Sequence, residues 1–244
     1  MVIFNIRDVS DEVGRNFERE FLVRQSILED YLTSMSFVDL FSGDVHVTIS
    51  EYTPPASQAL LPVWRGCRGE MKFAALRVRQ GRAAILHELV HVYEPNQVRF
   101  LAEGFAVYLE ETIGNIEVYP TFGTAIEARL KSAHSSTLAS IKLNVFDHVS
   151  VGMGSSLGNS VELETTIPIS AKRGVFSYLV SGSFVKFLIE AYGVNKFKAL
   201  YRLTPLTPRM SVPGNHARYE KVFAKPLSEL QAEWLRWLQN LCAL

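Results

Sequence analysis

Ala84-Ile85-Leu86-His87-Glu88-Leu89-Val90-His91 is a His-Glu-x-x-His pattern set into an apolar helix. Residues four apart on a helix lie on one face about one turn from each other. His87 and His91 can therefore both aim a ring nitrogen at a single ion, with the carboxylate of Glu88 beside them. At the chain's own His and Glu frequencies the pattern arises by chance in on the order of one per cent of sequences this long. The plain alternative is a helix carrying two histidines satisfied within the fold and a surface glutamate. A catalytic zinc usually has three protein ligands and keeps a fourth position for water, so a further ligand has to come from elsewhere in the chain.

After Pro95 and Asn96 a second helical pattern runs from Gln97 to Leu109, with apolar residues at 98, 101, 102, 105 and 109. Glu103 is the acidic residue in it best placed to turn back toward the first helix. Gly104 beside it removes a side chain where two helices and a metal must approach closely. Glu94, Glu110 and Glu111 compete for the same role, Glu94 beside the Pro95 break and the other two about two turns beyond Glu103.

His-Glu-x-x-His followed by Glu103-Gly104-Phe105-Ala106-Val107-Tyr108-Leu109-Glu110 resembles the gluzincin metallopeptidases, in particular the peptidase MA-like domains of the thermolysin and aminopeptidase-N-like superfamily. The resemblance implies one Zn2+ per chain held by His87, His91 and Glu103, with Glu88 as general base. Eleven residues separate His91 from Glu103, fewer than in true aminopeptidases, which favours the compact MA-like domains. Tyr178 to Gly193 resembles the helix of those domains whose first tyrosine faces the metal, so Tyr178 is expected to donate a hydrogen bond to the oxyanion. A tyrosine packed in a helix bundle is the alternative. His148 is the next candidate donor, ahead of His134 and His216. The segment from Tyr219 to Leu238 resembles the closing helix, with Ser228 as a possible cap and Leu230, Trp234, Trp237 and Leu238 packing.

The remaining patterns place these residues on elements. Ser10, followed by Asp11 and Glu12, caps a long amphipathic helix with apolar positions at Val13, Phe17, Phe21, Leu28, Tyr31 and Met35. Residues 44–50 alternate as a half-buried strand, with His46 pointing away from Val45, Val47 and Ile49. Glu51 to Gly69 is rich in proline and glycine and is expected to be a loop. Met71 to Arg79 is expected to be a second strand, which by resemblance offers its edge to the substrate backbone. Gly81 then opens the metal helix, and Gly114 and Asn115 end the Glu103 helix. Thr124 to His134 and Gly174 to Tyr192 are helical patterns. Val149 to Glu164, poor in large apolar residues, is a loop or flap.

The expected fold is a single α+β, zincin-like domain over residues 1–244. A small N-terminal sheet lobe with the metal-binding helix occupies roughly 1–114, and a mainly helical C-terminal lobe carrying Tyr178 occupies 115–244. Lys plus Arg equals Asp plus Glu at 25 each, so no global field recruits nucleic acid or an anionic membrane. No signal-peptide core or uninterrupted apolar span is seen, and a cytoplasmic protein is expected. Cys67 and Cys242, the two cysteines, form no Cys-x-x-Cys pair and suggest no disulfide framework.

The expected activity is hydrolysis of a peptide or protein substrate. Aminopeptidases of this resemblance carry Gly-x-Met-Glu-Asn, whereas this chain has Gly69-Glu70-Met71-Lys72, so endopeptidase action is favoured over release of N-terminal residues. The rivals are a zincin-like binding or scaffold domain without turnover, and a zinc hydrolase acting on a non-peptide amide.

Overall fold

A computed structural model describes residues 1–37, 41, 43–51, 58–60, 68–138, 141–143, 173–205 and 216–241. In chain order the elements are β1 (Val2–Ile6), α1 (Asp11–Ser34), β2 (Asp44–Ser50), β3 (Gln58–Leu60), β4 (Arg68–Ala74), α2 (Ala75–Arg79), α3 (Ile85–Tyr93) and α4 (Arg99–Ile113). There follow α5 (Ile126–Leu138), α6 (Arg173–Tyr192), α7 (Val194–Tyr201), α8 (Ala217–Phe223) and α9 (Leu227–Asn240). The architecture is α+β, with two compact units. Met1–Pro95 joins Leu109–Gly123 in the first, and Asn96–Tyr108 joins Thr124–Leu244 in the second. α4 contributes residues to both units.

The first unit holds a four-stranded sheet of order β1-β2-β4-β3. β1, β2 and β4 are parallel, with Val2 opposite Val45 and Val45 opposite Gly69. A parallel pair needs a long crossover, and α1 supplies the one between β1 and β2. Ser10 starts α1 as expected, its hydroxyl accepting the Val13 N–H at 3.4 Å. The buried positions Val45, Val47 and Ile49 on β2, and Met71 and Phe73 on β4, recur with the period of two that a strand imposes. His46 is half-buried on the alternate positions. Phe17 of α1 meets Phe73 edge-on at 5.2 Å, and Phe21 meets Phe4 at 5.4 Å, so α1 lies over the apolar face. α3 lies on the same sheet: a Cβ on Gly69 would stand 2.6 Å from Val92 Cγ1.

Several expectations are corrected here. β1 precedes α1 and was not foreseen, because its residues alternate between half-buried and exposed over a span of five. The second strand ends at Ala74 and continues as the short helix α2, since the apolar run Phe73-Ala74-Ala75-Leu76 carries no period that separates strand from helix. Within the expected loop, Gln58–Leu60 forms β3, antiparallel to β4 with Gln58 opposite Lys72 and Leu60 opposite Glu70. β4 is therefore an interior strand, and β3 takes the outer position expected of β4. Gly81 sits in the turn after α2 with φ of +63°, while α3, which carries the two histidines, begins at Ile85.

The second unit is helical. Phe100 stacks on Phe184 at 5.7 Å, Phe105 meets Phe197 and Tyr201 at 5.1 and 5.3 Å, and Trp234 meets Phe184 edge-on. The indole N–H of Trp234 donates to Ser183 Oγ at 3.0 Å, which satisfies both groups in the core. α4 and α6 approach closely through glycine: a Cβ on Gly104 would stand 2.5 Å from the Ser181 carbonyl oxygen and 2.7 Å from Val185 Cγ2, and one on Gly182 would meet Val107. α5 runs to Leu138, beyond the expected end at His134. α6 spans the expected Gly174–Tyr192 and ends at Gly193, whose φ is +87°. Val175–Tyr192 is long and apolar enough to cross a membrane by length and composition, but 61% of that window is buried inside the protein, as in a core helix. The expected closing helix is two helices, α8 and α9. Ser228 does not cap α9, which starts after Pro226 without a side-chain cap. Val149–Glu164 lies outside the described residues.

Candidate metal centre

α3 is short, buried along nearly its whole length, and begins at a residue that cannot cap it. Ala84 has no polar side chain, so the first N–H groups of the helix need acceptors from elsewhere. Glu110, near the end of α4, supplies one: its Oε2 accepts the His87 N–H at 2.6 Å and its Oε1 accepts the Asn115 N–H at 2.8 Å. A carboxylate at a helix N-terminus also suits the positive end of the helix dipole. Glu110 is buried, and that burial pushes its carboxyl pKa up against the opposing pull of the Asn115 and His87 N–H donors and of the nearby His87 and Arg24 side chains. At the other end of α3, the Tyr93 hydroxyl donates to Glu29 of α1, and Gln25 Nε2 donates to both, at 2.8 Å to Tyr93 and 3.0 Å to Glu29. Burial and then the Glu29 carboxylate raise the Tyr93 pKa well above the usual phenol range. α3 is thus held at both ends.

Between these anchors the helical spacing brings His87 Nε2 and His91 Nε2 to 3.2 Å, with the rings at 80° to each other. A tetrahedral zinc with Zn–N bonds of 2.0–2.1 Å places its ligand atoms about 3.3 Å apart, so this separation is that of one edge of such a tetrahedron. His87 is buried, His91 is half-buried and Glu88 is buried beside them.

Glu103 lies on the first half of α4, 2% exposed. Ahead of this helix Asn96 fixes the chain: its Oδ1 accepts the Val98 N–H at 2.9 Å and the Thr204 hydroxyl at 3.0 Å while its Nδ2 donates to the Tyr201 carbonyl at 2.7 Å. One turn before Glu103, Arg99 Nη2 reaches Glu103 Oε1 at 2.6 Å and donates to Tyr178 Oη at 3.4 Å. One donor atom from each of His87, His91 and Glu103 lies within 4.8 Å of the others, the one such group of ligand-type side chains among the described residues. Two imidazole nitrogens and a carboxylate oxygen form a donor set suited to a divalent ion of borderline softness such as zinc.

Compared with protein-family models, with curated proteins and with solved structures, the chain matches none.

Of the residues singled out in the sequence, His87, His91 and Glu103 are grouped, and Tyr178 is tied to Glu103 through Arg99. Glu110 is instead the acceptor for the backbone of His87, and Glu94 follows α3 as its C-cap residue. Glu111 is half-buried one residue further along α4. His216 occupies the N-cap position of α8 without a side-chain cap bond. His148 and the side chain of His134 lie outside the described residues. Sequence reasoning missed Arg99 and Asn96, and weighed Glu110 only as a ligand and not as the acceptor for the His87 N–H. The i, i+4 spacing of Arg99 and Glu103 was the available signal for the first. Asn96 before an apolar helix was the signal for the second.

Proposed function

We propose that the chain is a zinc-dependent metallopeptidase of zincin-like fold that cleaves within peptide chains. The observation that carries this reading is the grouping of His87, His91 and Glu103 donor atoms within 4.8 Å. When bound there, zinc supplies a Lewis acid that brings the pKa of water to about 7 and polarises the scissile carbonyl. His87, His91 and Glu103 would hold the ion. Glu88, adjacent in sequence and outside the ligand set, accepts the proton of the attacking water and passes it to the leaving amine. Tyr178 donates a hydrogen bond to the oxygen on which negative charge develops. A peptide substrate adds as a strand to the outer edge of β3, which packs beside α3. The order of α1, sheet and α3 in the first unit supports the zincin reading, as does the separate helical element carrying Tyr178.

The test is zinc per chain by elemental analysis, on wild type, Glu103→Ala and Glu88→Gln purified without added metal, with turnover of N-terminally blocked peptides measured in parallel. Near one zinc is expected in wild type and Glu88→Gln, and much less in Glu103→Ala. Turnover in Glu88→Gln should fall about 10²–10⁴-fold, the usual contribution of a positioned acid–base group. Wild type without metal would remove the proposal. Undiminished turnover in Glu88→Gln would remove Glu88 as the base.

A further inference from the structure

We infer that Arg99 is a positioning residue for the metal centre, one that sets the carboxylate of Glu103 and the phenol of Tyr178 together. The inference rests on the metallopeptidase reading and adds to it a residue that no sequence motif marks.

Three observations lead to it. Glu103 is 2% exposed, and its Oε1 receives Arg99 Nη2 at 2.6 Å, so a cation beside this buried carboxylate comes from its own helix, one turn away. The same Nη2 reaches Tyr178 Oη at 3.4 Å, so a single nitrogen touches both groups. The two helices concerned are closely seated, because a Cβ on Gly104 would run into the Ser181 carbonyl and one on Gly182 into the Val107 side chain.

The chemistry of guanidinium then dictates polarity. Arginine carries only donors, so it fixes both partners as acceptors toward itself. With Oε1 of Glu103 engaged by Arg99, the carboxylate is held in one orientation, and it is from that orientation that Glu103 would hold an ion. With Tyr178 Oη accepting from Arg99, the phenolic proton is directed elsewhere, as a donor to an oxyanion requires. Ligands of catalytic metals are oriented by such outer partners, and loss of one typically costs 10–100-fold in metal affinity or activity. Lysine in the same place can neutralise Glu103, but its ammonium is a rotating point charge on a shorter, flexible stem, so it does not hold one nitrogen against both partners in a fixed orientation.

The experiment compares wild type, Arg99→Ala and Arg99→Lys, with Glu103→Ala as the reference for a lost ligand. Zinc affinity is measured by chelator competition. Coordination geometry is read from the visible spectrum of the cobalt-substituted proteins, and kcat and KM are measured on a blocked peptide. Circular dichroism confirms that each variant is folded. Arg99→Ala is expected to bind zinc about 10–100-fold more weakly than wild type and to show an altered cobalt spectrum. Arg99→Lys should recover most of the affinity and the spectrum while kcat stays depressed about 10-fold or more and KM changes little, because Tyr178 remains unset. Wild-type zinc affinity and cobalt spectrum in folded Arg99→Ala, with both lost in Glu103→Ala, would overturn the inference and leave the metal centre standing. Full recovery of kcat in Arg99→Lys would overturn the part concerning Tyr178. No zinc in wild type would overturn the metallopeptidase reading and this inference with it.

Discussion

The histidine helix and the glutamate helix are held by different means. α3 is fixed through its backbone and its ends: a buried carboxylate takes the His87 N–H, and the Tyr93–Glu29–Gln25 cluster ties down the last turn. The two imidazoles then fall into place because they are four residues apart on a rigid cylinder. Glu103 is fixed through its own side chain by Arg99, on a helix whose position is set by contact with α6 at the scale of a single methyl group. A rigid helix tolerates small changes around it, whereas a close backbone contact does not. Perturbing the α4–α6 seat should therefore do more damage than perturbing the cap of α3.

The strongest way to break that comparison is Gly104→Ala. The added Cβ would stand 2.5 Å from a carbonyl oxygen of α6, and backbone cannot swing aside as a side-chain tip can. Overpacking of this kind costs about 1–3 kcal/mol, occasionally more. At roughly 2–4 °C per kcal/mol for a chain of this size, calorimetry should show Tm lowered by several degrees. Zinc content should fall as well, since Glu103 is the neighbouring residue. An unchanged Tm would mean that the helices have room to part and that the glycine is incidental.

Glu110→Gln tests the other side and should cost less. Glutamine retains one oxygen to accept either the His87 or the Asn115 N–H, but its amide group turns a donor toward the other. Loss of a helix-capping acceptor costs about 0.5–2 kcal/mol. Part of this is offset because a neutral amide is easier to bury than a carboxylate whose pKa burial has already raised. The expected result in urea is a modest fall in midpoint at unchanged m-value, with zinc content close to wild type. A loss larger than that of Gly104→Ala, or a loss of zinc, would reverse the ranking.

The difference between the two helices also explains what could be read in the sequence. His87, Glu88 and His91 were legible because a helical period alone places them, and Ser10 because a cap is a local event. Glu103 was legible by its place on a helical pattern, whereas Gly104 was legible only as a point of close approach: the helix it admits is α6, through Ser181 and Val185, and not the histidine helix. Glu110 was legible only as a possible ligand, because its partner is a backbone N–H 23 residues away, and no local rule links the two. Arg99 stood at a readable spacing from Glu103, yet its contact with Tyr178 spans 79 residues of chain. On the fold side, β3 is three residues long and α2 five, both below the length at which a period can be counted. Single-element periodicity was visible in advance, and contacts made by tertiary packing were not.

The smallest expected effect lies at the far end of α6. Tyr192, the last residue of that helix, donates to Glu233 of α9, and Lys225 Nζ donates to Glu233 Oε1 at 2.5 Å and to Tyr192 Oη at 3.1 Å. The Lys225 ammonium and then the Tyr192 hydroxyl hold the Glu233 carboxyl below the usual carboxylate range. A carboxyl whose pKa is lowered on folding contributes stability above its unfolded value of about 4.3, and that contribution is lost as pH falls through the folded value. Both ion-pair partners remain partly open to solvent, so screening keeps the contribution small. The Tm gap between wild type and Glu233→Gln should accordingly be slight near neutral pH and close as pH drops below the ordinary glutamate range. A gap that widened on acidification would contradict the direction of the shift. Tyr178 is 14 residues from Tyr192, roughly 20 Å along the helix, so the same variant should leave zinc content untouched. If zinc were lost, α6 would be transmitting strain along its whole length, and the seat at Gly104 and Gly182 would not be what positions Glu103.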